Sequence, residues 1–395
     1  MKICVWTGSI FKLGGTKRVI TTVVNELVET NDVTIMCFDK PTTENYEMYN
    51  LDRRVKIDYC VLAEYSDKKK TLPRYARSVM KRLNNRTGLL NKPGKVERLK
   101  NTFCPKWIQD KWVEYLNKKD YDVIIATAGH ALTLSLIAER LNARTIGWQH
   151  NCYDTYVMQK DVLFWKKEEL LKKYFPKLDH YVVLNEYDKN DFKEKLGIDC
   201  VAMDNPRSFV SETKTNLNQK QFFVAARFVP AKGLDLLIQA FSKFCQVDDE
   251  WKLVIAGDGE ERMNVLELVW KYGVQERVSF IGTTNNVQKY YLESSIYLLS
   301  SRWEGWGLVI VEAFELGMPV IAFDIVPVDL IITNGEDGIL VEKFDVDKYA
   351  AAMVKLAHDD DLRMKMGRNA IIKAETFSEK RIAKEWEKLI SGGEL

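Results

Sequence analysis

Short apolar runs alternate with amphipathic helical segments along the sequence, and the alternation occurs twice within 395 residues. The first half opens with a strand-like run at 2–7, helical periodicity near 16–30 and a second strand-like run at 33–38. Short strands that are apolar on both faces, separated by amphipathic helices, are typical of parallel sheets covered by helices on both sides. The sequence therefore predicts an α/β protein built from two Rossmann-like parallel-sheet domains.

The remaining elements follow the same rhythm through both halves. Further strands are expected at 55–61, 123–127, 144–149, 180–184, 222–226, 251–256, 278–281, 296–300, 319–323 and 338–341. Further helices are expected near 131–141, 160–174, 186–196, 233–245, 260–272, 308–316, 347–357 and 378–390.

A polar stretch after Asn205–Pro206 marks the expected join between the domains. We expect an N-terminal domain over 1–204 and a C-terminal domain over 205–376. The last segment, 377–395, follows the completed second sheet, and we expect it to form a helix that crosses back to the N-terminal domain.

The net charge of +2 conceals an uneven distribution, because segment 68–118 holds fifteen basic and three acidic residues. Tyr75, Phe103, Trp107 and Trp112 are interleaved with these cations. Cations combined with interfacial aromatic residues suit an anionic membrane surface, and a solvated helical face is the alternative. No nucleic-acid-binding motif is present, so we expect no nucleic-acid partner.

Cysteine usage and hydropathy indicate the cellular compartment in which the protein is expected. The seven cysteines are scattered singly, which argues against a disulfide framework or a zinc ribbon and fits a reducing cytosol. No apolar run reaches transmembrane length, and the start shows no signal-peptide pattern. We expect a cytoplasmic protein, either free or peripherally attached to the inner face of the cell membrane.

Candidate site residues follow predicted strands, at the edge where doubly wound sheets bind ligands. Gly14 and Gly15 end the first strand–helix turn and allow a ligand close to the backbone. The turn lacks the GxGxxG pattern, which argues against a dinucleotide oxidoreductase. In the second half, Arg227 and Lys232 lie five residues apart at a helix start, an arrangement suited to clamping a diphosphate.

A glycine-framed loop at 300–308 carries Glu304, and the helix that follows carries Glu312. Carboxylates accept hydrogen bonds from sugar and ribose hydroxyls, and the glycines would leave nearby amides open to an anion. We expect both carboxylates to face one pocket, with the exposed amides belonging to Gly307, Leu308 and Val309.

Two of the four histidines, His130 and His150, each follow a predicted strand of the first half. A histidine at this edge can donate to a sugar hydroxyl or a developing anion, although a purely structural role is open for both. Asp345 and Asp347 could imitate a metal-binding pair, but their position at a helix start favours an N-cap. We therefore expect no metal ligands and no cofactor.

The second half also carries a set of family motifs: ARFVPAKG (226–233), VIAGDGE (254–260), FIG (280–282), SRWEGWGLVIVEAFELGMPVIA (301–322) and NGEDGILV (334–341). Through these motifs the sequence resembles the retaining glycosyltransferases of the GT-B fold, specifically the large family 4 group. The resemblance is dense over the second half, whereas in the first half it involves only Gly14, Gly15 and the two histidine loops.

The resemblance implies a role for each matching position. Glu312 would bind the ribose and Glu304 the donor sugar, while Arg227 and Lys232 would neutralise the leaving diphosphate. Gly14 and Gly15 would approach the phosphates, His130 or His150 would contact the donor sugar, and the remaining contacts to the nucleotide sugar would come from Gly257, Ile281, Gly305, Trp306, Gly307, Leu308 and Val309.

Two positions depart from the family pattern. Trp306 stands where the family usually has Phe, which would reshape the floor of the donor pocket. Val326–Pro327, followed by Asp329, replaces the usual Gly-Pro before a helix carrying Glu.

The resemblance implies two domains facing a central cleft, with the acceptor bound by domain 1–204 and the nucleotide sugar bound by domain 205–376. It also implies a metal-independent, retaining transfer of a hexose from the nucleotide sugar, with UDP as the expected nucleotide. The leaving phosphate would itself accept the proton of the acceptor hydroxyl, as in a front-face mechanism. The expected acceptor is a lipid-linked or other cell-surface glycan precursor. The alternatives are a nucleotide-sugar 2-epimerase of the same fold and a non-catalytic partner subunit of a glycosyltransferase complex.

Overall fold

The computed structural model describes residues 1–11, 14–40, 46, 49–60, 62 and 72–393, with backbone alone for 72–74. Residues Lys68, Lys69 and Lys70 of the basic segment lie outside this part of the chain. Contacts divide the chain into two compact units. The first comprises Met1–Pro206 and the C-terminal segment from Glu379, and the second comprises Arg207–Ser378.

A parallel sheet forms the centre of the first unit, with strand order β3-β2-β1-β4-β5-β6-β7 in its described residues. β1 is an interior strand, in which Val5 pairs with Ile35 on one side and with Ile125 on the other. Four of the five β1 residues are buried, because helices cover both faces of the sheet. The strands are β1 (Lys2–Trp6), β2 (Asp32–Cys37), β3 (Lys56–Tyr59), β4 (Val123–Thr127), β5 (Arg144–Trp148), β6 (His180–Val183) and β7 (Val201–Ala202).

The helices of the first unit include three that follow β3 and carry the described part of the basic segment. The final helix of the chain also packs here: Trp386 is fully buried and its ring lies 4.7 Å from that of Trp148. The helices are α1 (Gly15–Leu27), α2 (Leu72–Thr87), α3 (Val96–Phe103), α4 (Lys106–Lys119), α5 (Gly129–Ser135), α6 (Glu168–Tyr174), α7 (Glu186–Leu196) and α15 (Glu379–Ile390).

The second unit has its own parallel sheet, with strand order β10-β9-β8-β11-β12-β13. Its central strands are apolar on both faces, and Phe222 and Phe223 on β8 are both fully buried. The strands are β8 (Gln221–Ala225), β9 (Lys252–Ala256), β10 (Val278–Gly282), β11 (Ile296–Leu299), β12 (Val320–Phe323) and β13 (Gly338–Val341).

Helices cover the second sheet as well. Each of the first six helices follows a strand, and the seventh follows the sixth helix. Asp345 accepts a hydrogen bond from the backbone nitrogen of Lys348 at 2.9 Å, which confirms its interpretation as an N-cap. The helices are α8 (Leu234–Phe244), α9 (Arg262–Lys271), α10 (Val287–Leu292), α11 (Leu308–Glu315), α12 (Val328–Ile331), α13 (Val346–His358) and α14 (Asp360–Glu375).

The helix expected near 160–174 is shorter than its periodicity indicated. A π-helical turn occupies Asp154–Met158, and α6 begins only at Glu168. Between them the chain folds back so that Phe164 is fully buried and its backbone nitrogen donates to the carbonyl of Tyr156 at 2.8 Å. Burying one large aromatic side chain overrides the local helical pattern, since a buried Phe contributes about 1.5–3 kcal/mol.

The strand order reverses at the same relative place in both sheets, between β1 and β4 and between β8 and β11. Ligands of doubly wound folds bind beside such switch points, at the carboxyl ends of the strands. The loops after β8 and β11 are the turn at 226–233 and the glycine-framed loop at 300–307. The fold therefore brings two sequence-predicted site loops to one edge of the second sheet.

In the described ranges, none of the helices combines the length and the apolar character that crossing a bilayer requires.

Candidate functional site

The two switch-point loops of the second unit touch through their backbones. Gly233 ends a 3-10 turn at Pro230–Lys232 with φ of 58°, and a Cβ at this position would lie 2.1 Å from the carbonyl oxygen of Ser300. Only glycine permits this approach. The hydroxyl of Ser300 donates to the carbonyl of Lys232 at 2.9 Å, so the two loops form one structural element.

Arg302 also links the same two loops through hydrogen bonds. Its backbone nitrogen donates to the carbonyl of Ala231 at 2.7 Å, and its guanidinium donates to Pro230 and to both carboxylate oxygens of Asp235. The guanidinium beside Asp235 lowers the pKa of that carboxyl and thereby keeps the pair ionised. Sequence analysis did not single out Arg302 or Asp235, although Arg302 lies two residues before Glu304.

Lys232 and Glu304 meet inside this element, with Nζ of Lys232 2.6 Å from Oε1 of Glu304. The hydroxyl of Ser301 donates to the same oxygen, also at 2.6 Å. Among the described residues, none donates to Oε2 of Glu304. One oxygen of the carboxylate is therefore held by the protein, and the other is available to a hydroxyl of a bound molecule.

The pair is largely withdrawn from water, since the side chains of Lys232 and Glu304 are 21% and 8% exposed. Removing one partner of such a pair leaves a buried charge without compensation. The arrangement places a cation and a carboxylate side by side at the switch point of the second sheet.

Glu312 lies on α11 and is 2% exposed. The hydroxyl of Tyr291 lies 3.3 Å from its Oε2. Burial raises the pKa of the Tyr297 hydroxyl, and the carboxylates of Glu312 and Glu304 both raise it further. The charges of both glutamates therefore reach the hydroxyl of Tyr297 on β11. Tyr291 and Tyr297 had no signal in the sequence beyond their aromatic character.

Helix α11 begins directly after the loop, with Gly307 as its N-cap at φ of 101°. Leu308 and Val309 form its first turn and are half-buried, and Gly305 is half-buried before them. The N-terminal amides of a helix carry a partial positive charge that favours an anion. Trp306 is 5% exposed, and its indole nitrogen is buried without a hydrogen-bond partner among the described residues.

Arg227 is exposed on a turn that the next loop of the sheet holds in place. Beside it, Phe228 donates to the carbonyl of Asp258 and accepts from the nitrogen of Glu261, each at 2.9 Å. Gly257 allows this contact, because a Cβ there would lie 1.8 Å from the carbonyl oxygen of Ala226. Another predicted nucleotide contact, Ile281, is half-buried on β10.

His130 lies beside the first turn of the first unit. A Cβ on Gly8 would lie 3.3 Å from its Nε2, and its ring stacks on that of Trp6 at 5.2 Å. Burial lowers the pKa of His130 to about 4, so the imidazole is neutral at neutral pH. Gly14 is the N-cap of α1 and Gly15 its first residue.

His150 follows β5, and its Nε2 is buried without a hydrogen-bond partner among the described residues. Burial, together with the nearby charge of Lys17 on α1, lowers the pKa of His150 to about 3. Because an unsatisfied buried nitrogen costs free energy, this atom is a candidate for contact with a bound molecule.

A buried polar network holds the segment on which His150 lies. Asp188 is 3% exposed and accepts from the backbone nitrogen of Tyr153 at 2.7 Å and from Nε2 of Gln149 at 3.2 Å. The hydroxyl of Tyr181 donates to the side-chain oxygen of Gln149 at 2.8 Å. Burial raises the pKa of Asp188 to about 7. Sequence analysis missed this network, whose members are far apart in the sequence: Gln149 follows β5, Tyr181 lies on β6 and Asp188 lies on α7.

The structure brings Lys232 and Glu304 into direct contact and places Arg227 and Glu312 on neighbouring elements of the same unit. His130 and His150 follow adjacent strands of the other unit. In the ranges the structure describes, no three His, Cys, Asp or Glu side chains gather as a metal site would require.

The two parallel-sheet units have the architecture of the GT-B fold, and comparison with known proteins finds a family match within the second unit. Residues 207–373 match the family described as glycosyl transferases group 1. This match covers nearly all of the second unit, where the contact between Lys232 and Glu304 is found.

Curated relatives extend the similarity into the first half. An uncharacterized glycosyltransferase of Haemophilus influenzae is 27% identical over 72% of this chain and 80% of its own length. An exopolysaccharide phosphotransferase of Streptomyces coelicolor is 27% identical over 96% of this chain, which covers 39% of that relative. A poly(ribitol-phosphate) alpha-N-acetylglucosaminyltransferase of Staphylococcus aureus is 26% identical over 58% of this chain and 47% of its own length.

Solved structures share the fold over nearly the full length. TarM of S. aureus, in complex with fondaparinux, alpha-GlcNAc-glycerol and UDP, has a TM-score of 0.76 at 18% identity, covering 99% of this chain and 100% of that one. Anabaena HepE, in complex with UDP and glucose, has a TM-score of 0.71 at 15% identity, with coverage of 99% and 100%. The chain thus has the GT-B fold, and the family match and the relatives together support a glycosyltransferase.

Proposed function

We propose that the chain is a retaining glycosyltransferase that moves a hexose from a UDP-linked donor to a lipid-linked or other cell-surface glycan precursor, without a metal ion. The observation that carries the proposal is the contact between Lys232 and Glu304 at the switch point of the second sheet. It joins a cation for the leaving phosphate to a carboxylate for the sugar within the segment that matches the group 1 family.

The proposed donor site combines cations for the diphosphate with carboxylates for the hydroxyls of the sugar and the ribose. Arg227 and Lys232 supply two cations for the diphosphate, and the N-terminus of α11 adds a further positive partial charge. Oε2 of Glu304 receives a sugar hydroxyl, and the carboxylate of Glu312 receives ribose hydroxyls. UDP is the favoured nucleotide because the structures of TarM and HepE hold UDP.

In the proposed reaction, the bond between the anomeric carbon and the diphosphate oxygen breaks, and both electrons leave with the diphosphate. The acceptor hydroxyl attacks from the same face and passes its proton to the departing phosphate oxygen. Lys232 and Arg227 stabilise the negative charge that develops on that phosphate, which is the largest contribution a preorganised site can make. The new glycosidic bond has the anomeric configuration of the donor.

The acceptor is assigned to the first unit, with His130 or His150 contacting the sugar that is transferred. Both imidazoles are neutral at neutral pH, so each can donate through one ring nitrogen and accept through the other. A surface-glycan acceptor is supported by relatives whose names concern exopolysaccharide and poly(ribitol-phosphate).

A helix of the first unit is suited to an anionic membrane surface. On α2, Tyr75, Val79 and Leu83 recur every four residues and are 71%, 44% and 37% exposed. Arg82 and Arg86 are exposed on the same face. Apolar side chains that enter the headgroup region, flanked by arginines that meet anionic lipids, are the features of an interfacial helix.

Donor turnover tests the proposed function. The purified chain is incubated with UDP-, GDP- and ADP-sugars, with and without EDTA, and release of the nucleotide is measured. We expect slow hydrolysis of a UDP-sugar that EDTA does not abolish, and proton NMR should show the sugar released with the donor's anomeric configuration.

Three results would contradict the proposal. Conversion of a UDP-sugar to its 2-epimer would identify an epimerase, and absence of turnover with every donor would favour a non-catalytic subunit. Loss of activity in EDTA, restored by manganese or magnesium, would show that the transfer needs a metal ion.

A further inference from the structure

A cavity of about 670 Å³ lies in the first unit, and none of the sequence-predicted site residues lines it. It is bordered by α3, by the start of α4 and by the segments that lead into the amino ends of β5 and β6. His130 and His150 follow the carboxyl ends of β4 and β5. Because these strands are parallel, the cavity and the two histidines lie towards opposite ends of the sheet.

Five cationic side chains line the cavity against two carboxylates, which is an excess of three positive charges. We call it the basic pocket, with Lys100, Lys106, Arg140, Lys173 and Lys177 as its cations and Glu97 and Glu139 as its acids. Three of the five cations lie outside the basic segment that the sequence indicated.

The two acids do not neutralise these cations. Lys100 and Lys173 share the carboxylate of Glu97, each at 2.7 Å, and Lys177 contacts Glu139. Arg140 pairs with Asp110, a carboxylate beside the lining, at 2.7 Å, so the five cations face three carboxylates and an excess of two positive charges remains. Among the described residues, Lys106 takes part in none of these ion pairs. The pocket therefore retains positive charge after its internal ion pairs are formed.

Three of these cations also border one aromatic ring. The Nζ atoms of Lys100, Lys173 and Lys177 lie 5.3, 5.5 and 5.3 Å from the centre of the Tyr174 ring. Cations grouped on one lining attract an anion to it. Lysine ammonium groups are compact point charges that suit phosphate oxygens.

We propose that the basic pocket, at the end of the first sheet opposite to His130 and His150, binds a phosphate ester carried by the acceptor. The excess of positive charge exceeds what a single carboxylate offers, whereas a phosphate ester brings one to two negative charges and several acceptor oxygens. The volume lies within the range of about 300–1,000 Å³ usual for small-molecule sites. This inference rests on the proposed function and deepens it, because it assigns a phosphate to the acceptor.

Calorimetry on the full chain at low salt tests the proposal with two probes. Glycerol phosphate represents a soluble phosphate ester, and vesicles of phosphatidylglycerol, compared with phosphatidylcholine, represent a lipid headgroup. We expect the double variant Lys106→Gln, Lys173→Gln to bind at least one of the phosphate probes about tenfold more weakly or worse. Glu97 keeps its contacts to Lys100 and Tyr174 in this variant.

Two controls separate the pocket from general charge and from folding. Lys118→Gln removes an exposed charge from the same helix, α4, outside the pocket, and should leave binding unchanged. The variant Lys106→Arg, Lys173→Arg keeps the charges and should bind like the wild type. UDP affinity, measured in parallel, should be equal in all variants, so that failure of the donor proposal is seen separately.

Binding of glycerol phosphate indicates a soluble source for the phosphate. Binding of the vesicles alone indicates a lipid headgroup in the pocket only if the double glutamine variant weakens it, because α2 also binds vesicles in the proposed function. The proposal is overturned if the wild type binds neither probe. It is also overturned if the double glutamine variant binds both probes as tightly as Lys118→Gln does.

Discussion

Nζ of Lys232 lies 2.6 Å from Oε1 of Glu304, across 72 residues of sequence. The contact joins the loops after β8 and β11, which flank the point where the strand order of the second sheet reverses. It fixes the carboxylate so that one oxygen faces the protein and the other remains for a ligand. The proposed function assigns the leaving phosphate and the transferred sugar to these two adjacent side chains.

Lys232→Ala should lower both stability and turnover. It leaves the buried carboxylate of Glu304 with Ser301 alone, so we expect a loss of about 1–3 kcal/mol in the free energy of unfolding. Turnover should fall roughly 10²-fold through loss of a contact to the leaving group. Urea unfolding and initial rates give the two values.

The matched control for this variant is Lys243→Ala, whose partner Asp347 is 80% exposed. Because exposed ion pairs contribute little, this control should hardly change the free energy of unfolding. Adding Glu304→Gln to Lys232→Ala should restore part of the lost stability, because the uncompensated charge is removed. Equal stability of Lys232→Ala and the wild type would show that the ion pair does not contribute.

The two histidines should make the protein less stable in acid. Their pKa values of about 4 and 3 lie below the ordinary value of 6.5, so the unfolded chain binds protons that the folded chain does not. The stability associated with the neutral forms is present above pH 6.5 and is lost as the pH falls towards about 4 for His130 and about 3 for His150. His130→Gln and His150→Gln should flatten the dependence of melting temperature on pH.

His358 provides the comparison, because its ring is exposed beside Asp248. His358→Gln should leave the loss of stability between pH 6.5 and 4 largely in place. If neither His130→Gln nor His150→Gln changes that slope, the imidazoles are not held neutral by burial.

Asp188 should have the opposite effect on the pH dependence of stability, between pH 4 and 7. Burial raises its pKa to about 7, so between pH 4 and 7 the folded protein holds a proton that the unfolded chain has lost. Stability attributable to this group should fall as the pH rises, by about 1.4 kcal/mol per pH unit. Asp188→Asn should remove that dependence in thermal unfolding, and a slope unchanged from the wild type would contradict it.

The exposed face of α2 should govern attachment to membranes. Arg82→Gln with Arg86→Gln should weaken binding to anionic vesicles by up to about 1 kcal/mol per arginine, and added salt should weaken binding of the wild type. Vesicle co-sedimentation measures both effects. Arg368→Gln, a charge change in the second unit, should have no effect, and equal binding by all three proteins would exclude α2 as the attachment face.

The sequence predicted the two parallel sheets well because strands buried on both faces leave a continuous apolar pattern. It also indicated the loops at 226–233 and 300–308, because their glycines and charges stand out from that pattern. It did not give the contact between Lys232 and Glu304, which depends on Gly233 meeting the backbone of Ser300. Such a contact between distant loops has no local signature.

The helix expected near 160–174 shows a different reason for error. Its residues have helical spacing, yet tertiary packing buries Phe164 and delays the helix until Glu168. The network of Asp188, Gln149 and Tyr181 was missed for a related reason, since each residue alone resembles an ordinary surface or core position.

Calorimetry with UDP on Glu304→Gln and Glu312→Gln tests the central claim most directly, that the second unit divides the donor between these two carboxylates. Glu312→Gln should weaken UDP binding by roughly tenfold or more, because the ribose loses a charged hydrogen-bond acceptor. Glu304→Gln should bind UDP like the wild type and transfer sugar more slowly, because the anomeric carbon is no longer held for attack. If Glu304→Gln loses as much UDP affinity as Glu312→Gln, or if neither variant changes UDP binding, the assignment of the two glutamates is contradicted.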